Sequence, residues 1–239
     1  MARAFTFGHL GYTAVNQNKG RDGGSSGEHT AIFFKTDKFT AVASGTRWLS
    51  NTPTTEGSKY SYTDANGTTH TANYPRIMTY VVLQRKSDGG SFLVVNTHLD
   101  NNGDNTHAVA EVIRQAEVDI MMNIIKGVTN SRGDIPVIVT GDFNVIPNNR
   151  TAYTAMTKTY EYSDSAYVKQ SGSAANTSTY NDDGGTGTSI IDYIFVSRHM
   201  ADGVTNYLVY NSYVDGGWAS DHNAIISTIK VPYVKDRLS

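Results

Sequence analysis

Cysteine is absent from this 239-residue chain, so neither a disulfide nor a thiolate metal site can form in it. No apolar run reaches the about 18 residues that a membrane-spanning helix needs. Charge is scarce as well. Asp, Glu, Lys and Arg make up 18% of residues and the formal net charge is −2, which argues against a broad basic surface for indiscriminate nucleic-acid binding and leaves only a local basic patch open. The opening residues, Met1-Ala2-Arg3-Ala4-Phe5-Thr6-Phe7, lack the long apolar core of a signal peptide, whereas the many Asn, Thr, Ser and Gly residues resemble a secreted bacterial surface. Export and a cytoplasmic location therefore both stay open. Nothing reads as a linker, and the length suffices for one large core, so residues 1–239 are read as a single domain.

What the chain does have is a series of short apolar runs, each with polar residues at one end. Pro136-Val137-Ile138-Val139-Thr140 reads as a buried strand that stops at Gly141-Asp142-Phe143-Asn144. Asp142 and Asn144 lie two residues apart, so both can face one cavity while Phe143 turns into the core. A carboxylate and an amide at a rigid tip suit a hard divalent cation and a phosphoryl oxygen.

Taken in order, Gly11 to Asn16 is a short strand, and a glycine-dense loop follows from Lys19 to Gly27. Glu28 stands at the entrance of the strand Thr30 to Phe34, where a buried acid needs a partner. Thr54 to Tyr74 is a polar excursion with Asp64-Ala65-Asn66-Gly67 as its turn. Arg76 opens the strand Ile77 to Leu83, Ser87-Asp88-Gly89-Gly90 turns the chain, and the returning strand ends in Asn96-Thr97-His98. Apolar residues at 109, 112, 113, 116, 120, 121 and 124 predict an amphipathic helix over Val109 to Ile125, with Met121 and Met122 as core filler. Thr151 to Thr159 is a short helix, and Tyr160 to Gly187 reads as long loops near the mouth of a site. Asp192 sits near the start of the strand Ser189 to Ser197, and Asp221-His222 precede the last apolar run.

His98 and Asp142 end strands, while Glu28, Arg76, Asp192 and Asp221-His222 begin them. In antiparallel packing the end of one strand and the start of its neighbour share an edge, so these groups are expected to converge. Glu28 is paired with His98 and Asp192 with His222, each acid fixing a tautomer and raising the basicity of its imidazole.

Five segments resemble, in order, the endonuclease/exonuclease/phosphatase superfamily, the fold of deoxyribonuclease I. They are Gly27-Glu28-His29-Thr30-Ala31-Ile32-Phe33-Phe34, Asn96-Thr97-His98-Leu99-Asp100, Thr140-Gly141-Asp142-Phe143-Asn144, Ile191-Asp192-Tyr193-Ile194-Phe195 and Ser220-Asp221-His222, spread over Gly11 to Val231. Trp48-Leu49-Ser50 and Pro75-Arg76 resemble the bacterial branch. The resemblance implies an α/β (α+β) fold, a two-sheet β-sandwich flanked by helices, and Mg²⁺- or Mn²⁺-dependent hydrolysis of a phosphate ester. It implies His98, His222, Asp142, Asn144, Glu28 and Asp192 as catalytic residues, Arg76 and Asn144 at the substrate phosphate, and Asp142 and Asp221 at the metal. The substrate could be a nucleic acid, a sugar phosphate or a lipid headgroup. The competing class is a non-catalytic relative, or an inactive fragment, that binds a phosphate-bearing partner.

One family feature is missing. Such proteins open with a strand ending in Asn and another ending in Gln-Glu, whose Glu is a principal metal ligand, and this chain holds no Gln-Glu dipeptide. Three readings follow: an amino-terminal truncation, replacement by the Met1 to His9 segment, or completion by another chain through self-association. Truncation leads to the expectation of an exposed apolar groove or unpaired strand edges, and of feeble Mg²⁺ binding with poor or no turnover of phosphodiesters by the chain as it stands.

Overall fold

Strand alternation sorts the apolar residues onto two faces of one central sheet. In this computed structural model, which describes residues 7–16, 18–147, 151–169, 178–184 and 189–238, the elements run β1 (Tyr12–Val15), β2 (Ile32–Lys35), β3 (Phe39–Trp48), β4 (Ser61–Thr63), β5 (Thr69–Thr71), β6 (Ile77–Arg85), β7 (Ser91–His98), α1 (His107–Asn130), β8 (Val137–Asp142), α2 (Thr151–Thr154), β9 (Tyr162–Asp164), α3 (Ser165–Lys169), β10 (Asp192–Ser197), β11 (Val204–Tyr210), β12 (Tyr213–Val214), β13 (Gly217–Trp218) and β14 (Ala224–Ile229). Six strands form one sheet in the order β3-β6-β7-β8-β10-β9. Its helix-side face presents Met78, Val82, Leu93, Val95, Val137, Val139, Tyr193 and Phe195, and α1 seals it with Val118, Met121, Met122 and Ile125. Burying each such side chain contributes roughly 1.5–3 kcal/mol. The methionines are core residues, at 0% and 7% exposure, as the periodicity implied.

The helix extends beyond the expected Val109 to Ile125. Thr106 caps its start, its hydroxyl accepting from the Val109 N–H at 3.4 Å, and the chain turns away only after Asn130. The hairpin expected between Thr54 and Tyr74 is β4–β5, with Asp64 Oδ1 accepting from the backbone N–H groups of Asn66 and Thr68.

Three expectations need correction. The site strands are not all antiparallel: β7 and β8 run parallel, with α1 as their crossover, and only β10 opposes β8. Part of the supposed loop from Tyr160 to Gly187 is β9 and α3, the latter capped by Asp164, whose Oδ1 accepts from the Ala166 N–H at 2.9 Å. Residues 170–177 and 185–188 of that stretch, and Met1 to Thr6, lie outside the described residues. The edge strand β3 and the surface strand β11 were not anticipated, because neither shows a clean apolar alternation.

Among the described residues, the second layer comprises two antiparallel strand pairs, β1–β2 and β11–β14, rather than one continuous sheet. The β1–β2 hairpin packs Val15, Ile32 and Phe34 on Val81, Leu83 and Phe92, while β11 and β14 pack near β10 through Val204 and Ile229 beside Val196. Between them lie the outer faces of β7 and β8. Val94, Asn96, Ile138 and Thr140 are only half-buried there, against 0–4% exposure for Leu93, Val95, Val137 and Val139 on the helix side. Among the described residues, β2 pairs only with β1 and β14 only with β11, so each offers a free edge, that of β14 beside a groove of ≈ 380 Å³ lined by Asn96, Thr140, Ile194 and Ile225. No described helix is long and apolar enough to cross a membrane.

Candidate active site

The register of three central strands sets a row of side chains on one face. Pairing places His98 of β7 beside Asp142 of β8, and Asp142 opposite Asp192 of β10. Residues 94, 96 and 98, 138, 140 and 142, and 192 and 194 share the outer face by the two-residue strand period. Two loops complete the row: Glu28 arrives just before β2, and His222 just before β14.

Gly141 makes the row possible. Its φ is +147°, and a Cβ there would stand 2.0 Å from the Thr97 carbonyl oxygen, so only glycine lets β7 and β8 approach. Asn144 adopts a left-handed φ of 50°, which Asn tolerates, and its backbone N–H donates to Asp142 Oδ1 at 2.7 Å. That turn aims both polar side chains into the site while Phe143 packs edge-on against Tyr193 in the core.

Asp142 stands between two histidines, each backed by its own acid. Its Oδ2 is 3.3 Å from His98 Nε2 and 3.8 Å from His222 Nε2. On the far side of each ring, His98 Nδ1 lies 3.3 Å from Glu28 and His222 Nδ1 lies 2.8 Å from Asp192 Oδ2. Both acid–histidine pairs expected from the sequence are thus within reach of each other. Asn144 Nδ2 donates to the Leu99 carbonyl at 2.9 Å and lies 3.1 Å from His98 Nε2. In neutral His98, Nδ1–H therefore faces Glu28 and the Nε2 lone pair accepts from Asn144.

The electrostatics follow this geometry. Its hydrogen bond with His98, aided by the charges of His98, Arg76 and Arg21, holds Glu28 down at about 2 despite partial burial. The hydrogen bond to Asp192 pushes His222 up to about 9, with further help from Asp142 and Asp221, so its ring is an imidazolium at neutral pH. Burial, reinforced by the like charge of Asp192, raises Asp142 above the ordinary carboxylate range. Asp142, Asp192 and His222 each offer a ligand atom within 4.8 Å of the others. Two neighbouring carboxylates, one strained toward protonation by burial, are a donor set that suits Mg²⁺ or Mn²⁺.

Two of the expected site residues stand apart from this row. Arg76 is only 2% exposed; its Nη1 donates to Glu28 Oε2 at 3.1 Å and its Nε faces Asp100 Oδ1 at 3.5 Å, so the phosphate contact expected of it meets a guanidinium sealed behind Glu28. Asp221 is exposed and outside the compact carboxylate–imidazole group, although its charge still acts on His222. Sequence reasoning passed over Arg21, which also bonds Glu28, Asp100, and Tyr180, whose ring lies edge-on to His222 at 5.3 Å. Only Asp100, in the Asn96-Thr97-His98-Leu99-Asp100 segment, carried a signal that could have found it.

Comparison with known proteins gives the family and the fold. The family model described as "Endonuclease/Exonuclease/phosphatase family" matches residues 12–222. Among solved structures, the chain is similar to the endonuclease/exonuclease/phosphatase from Bacteroides vulgatus, at 27% identity and TM-score 0.75, covering 94% of this chain and 78% of that one. It is similar to a mannosyl-6-phosphatase of Bacteroides thetaiotaomicron, at 28% identity and TM-score 0.69, covering 92% and 77%. The human Nocturnin catalytic domain, at 19% identity and TM-score 0.65 over 95% and 74%, shares the fold. A comparison with curated proteins gave no match. The chain belongs to the endonuclease/exonuclease/phosphatase family, and its mixed α/β architecture is the deoxyribonuclease I-like fold of that family.

Proposed function

We propose that the chain is a divalent-metal-dependent hydrolase of phosphate esters. The observation that carries this reading is the symmetrical row in which Asp142 lies between two histidines, each held by its own acid. Asp142, with the neighbouring Asp192 or the exposed Asp221 as its second carboxylate, would hold Mg²⁺ or Mn²⁺. When bound, the cation supplies positive charge to the phosphoryl oxygens. Asp142 orients the attacking water, and His98 accepts its proton at Nε2. Once protonated there, His98 no longer accepts from Asn144, whose Nδ2–H is free to donate to a phosphoryl oxygen. His222, already an imidazolium, donates from Nε2 to the leaving oxygen as its bond to phosphorus breaks. Mg²⁺ is commonly held by one or two carboxylates together with substrate oxygens, so substrate is expected to tighten metal binding.

A small phosphate ester, such as a sugar phosphate, is the substrate class. The similarity to a mannosyl-6-phosphatase at 28% identity supports it, and the net charge of −2 disfavours duplex DNA. A panel of sugar 6-phosphates, a generic phosphodiester and duplex DNA, each with Mg²⁺, Mn²⁺ or chelator, tests the reading. Phosphate release from the sugar phosphates alone, abolished by chelator, is expected; a preference for duplex DNA refutes the substrate class. We further propose that a second copy covers the half-open face of β7 and β8, supported by the free edges of β2 and β14. Sedimentation giving only monomer at high concentration would refute it.

A further inference from the structure

We propose that Asp100 and Arg76 are positioning residues for this reaction: Asp100 fixes Arg76, and Arg76 holds Glu28 against Nδ1 of His98. The inference rests on the hydrolase reading of the site. Glu28 enters from a loop, and its side chain is 49% exposed, so nothing in its own burial confines the carboxylate. Three donors confine it instead, all at Oε2: His98 Nδ1, Arg21 Nη1 and Arg76 Nη1. Of these, Arg76 is the one sealed in the protein, at 2% exposure.

Arg76 is flanked by the Tyr74 ring, 5.4 Å from its guanidinium, and by the fully buried Asp100, whose Oδ1 lies 3.5 Å from Nε, an ion-pair contact rather than a hydrogen bond. Asp100 is itself fixed at every polar atom. Oδ2 accepts from the Asn73 N–H at 3.0 Å and Oδ1 from the Tyr74 N–H at 3.2 Å. Its own N–H donates to Glu117 Oε2 at 2.8 Å, and its carbonyl accepts from Arg114 Nη1 at 3.1 Å. Glu117 and Arg114 lie one turn apart on α1, fully buried, so the chain of contacts runs from the core helix to Asp100, Arg76, Glu28 and the imidazole. A buried ion pair is weak evidence of a stabilising role, since well-packed apolar groups often serve as well. Its use here is orientation: the charge of Arg76 and the direction of its fork select the Glu28 rotamer that faces His98. The His98–Leu99–Asp100 sequence also ties the anchor to the loop that carries the imidazole.

The test is a double-mutant cycle of Asp100→Asn and Glu28→Gln, with steady-state kinetics on the best sugar phosphate and the His98 ¹⁵N resonances of the metal-free protein. Asp100→Asn is expected to lower kcat about 10-fold with KM within about 2-fold, because a misplaced catalytic group costs rate rather than binding. In the Glu28→Gln background the same change is expected to add less than about 2-fold. An equal loss in both backgrounds, or a loss carried by KM, overturns the proposal. Should Asp100→Asn not fold, Arg76→Lys, which keeps the charge and loses the fork, takes its place in the cycle. If the wild-type chain releases no phosphate, the hydrolase reading fails, while the His98 Nδ1 resonance still decides the positioning: it is expected to move in Asp100→Asn, and an unmoved resonance overturns it.

Discussion

Replacing Asp192 with Asn removes the largest cause of the raised pKa of His222 while keeping the size of the side chain. The native contact is short, 2.8 Å from Nδ1 to Oδ2, and the imidazole is 27% exposed, so solvent screens it only partly. The gap between about 9 and the ordinary 6.5, at roughly 1.4 kcal/mol per tenfold change in proton affinity, corresponds to ~3 kcal/mol favouring the protonated ring. An uncharged Asn leaves only the more distant fields of Asp142 and Asp221, so His222 in Asp192→Asn is expected to titrate near ~7. Because the folded-state value lies above the unfolded one, this stabilisation is fully present below about 6.5 and is lost as the pH rises through about 9. Long-range ¹H–¹⁵N spectra across pH 5 to 10 read the titration, and urea melts at the two ends read the linkage. A wild-type His222 that titrates near 6.5, or a value unchanged in Asp192→Asn, would refute the reasoning.

Other consequences concern the backbone and the acid limb. Gly141→Ala is expected to destabilise the protein by about 3 kcal/mol or more, since the new Cβ meets the Thr97 carbonyl at 2.0 Å and the residue keeps a φ of +147°; a urea midpoint within error of wild type would contradict this. Glu28 is held down at about 2, so its contribution is present above about 4.5 and disappears as the pH falls toward 2. Glu28→Gln should flatten that part of the acid-denaturation curve, and an unchanged curve would show that the His98 contact contributes nothing.

Much of the site was legible because it lies at strand ends, where a polar residue beside an apolar run is conspicuous. Gly141-Asp142-Phe143-Asn144 and the pairing of each histidine with an acid are visible in the residues themselves. The parallel pairing of β7 and β8 was not, since direction is set by the α1 crossover and not by either strand's pattern. Nor was the placement of Arg76. The sequence reading put this cation at the substrate phosphate, and only tertiary contacts with Glu28 and Asp100 seal it behind the site. Asp221 adjoins His222 in sequence, yet the strand-edge reasoning paired the imidazole with Asp192, 30 residues away, and that carboxylate is the one 2.8 Å from Nδ1. The strand β11 alternates too weakly to announce itself, with Tyr207 buried and Leu208 and Tyr210 exposed.

The central claim, that Asp142 and its two flanking histidines form a site for phosphate-ester hydrolysis, is tested most directly by turnover in His98→Ala and His222→Ala. Phosphate release from a sugar phosphate at millimolar Mg²⁺ or Mn²⁺ would be followed by ³¹P spectroscopy beside the wild-type chain. The account expects metal-dependent release that falls by roughly 100-fold or more in each variant, with KM little changed, because proton transfer acts in the transition state. Equal rates in wild type and both variants, or no release by the wild type at any metal concentration, would contradict it.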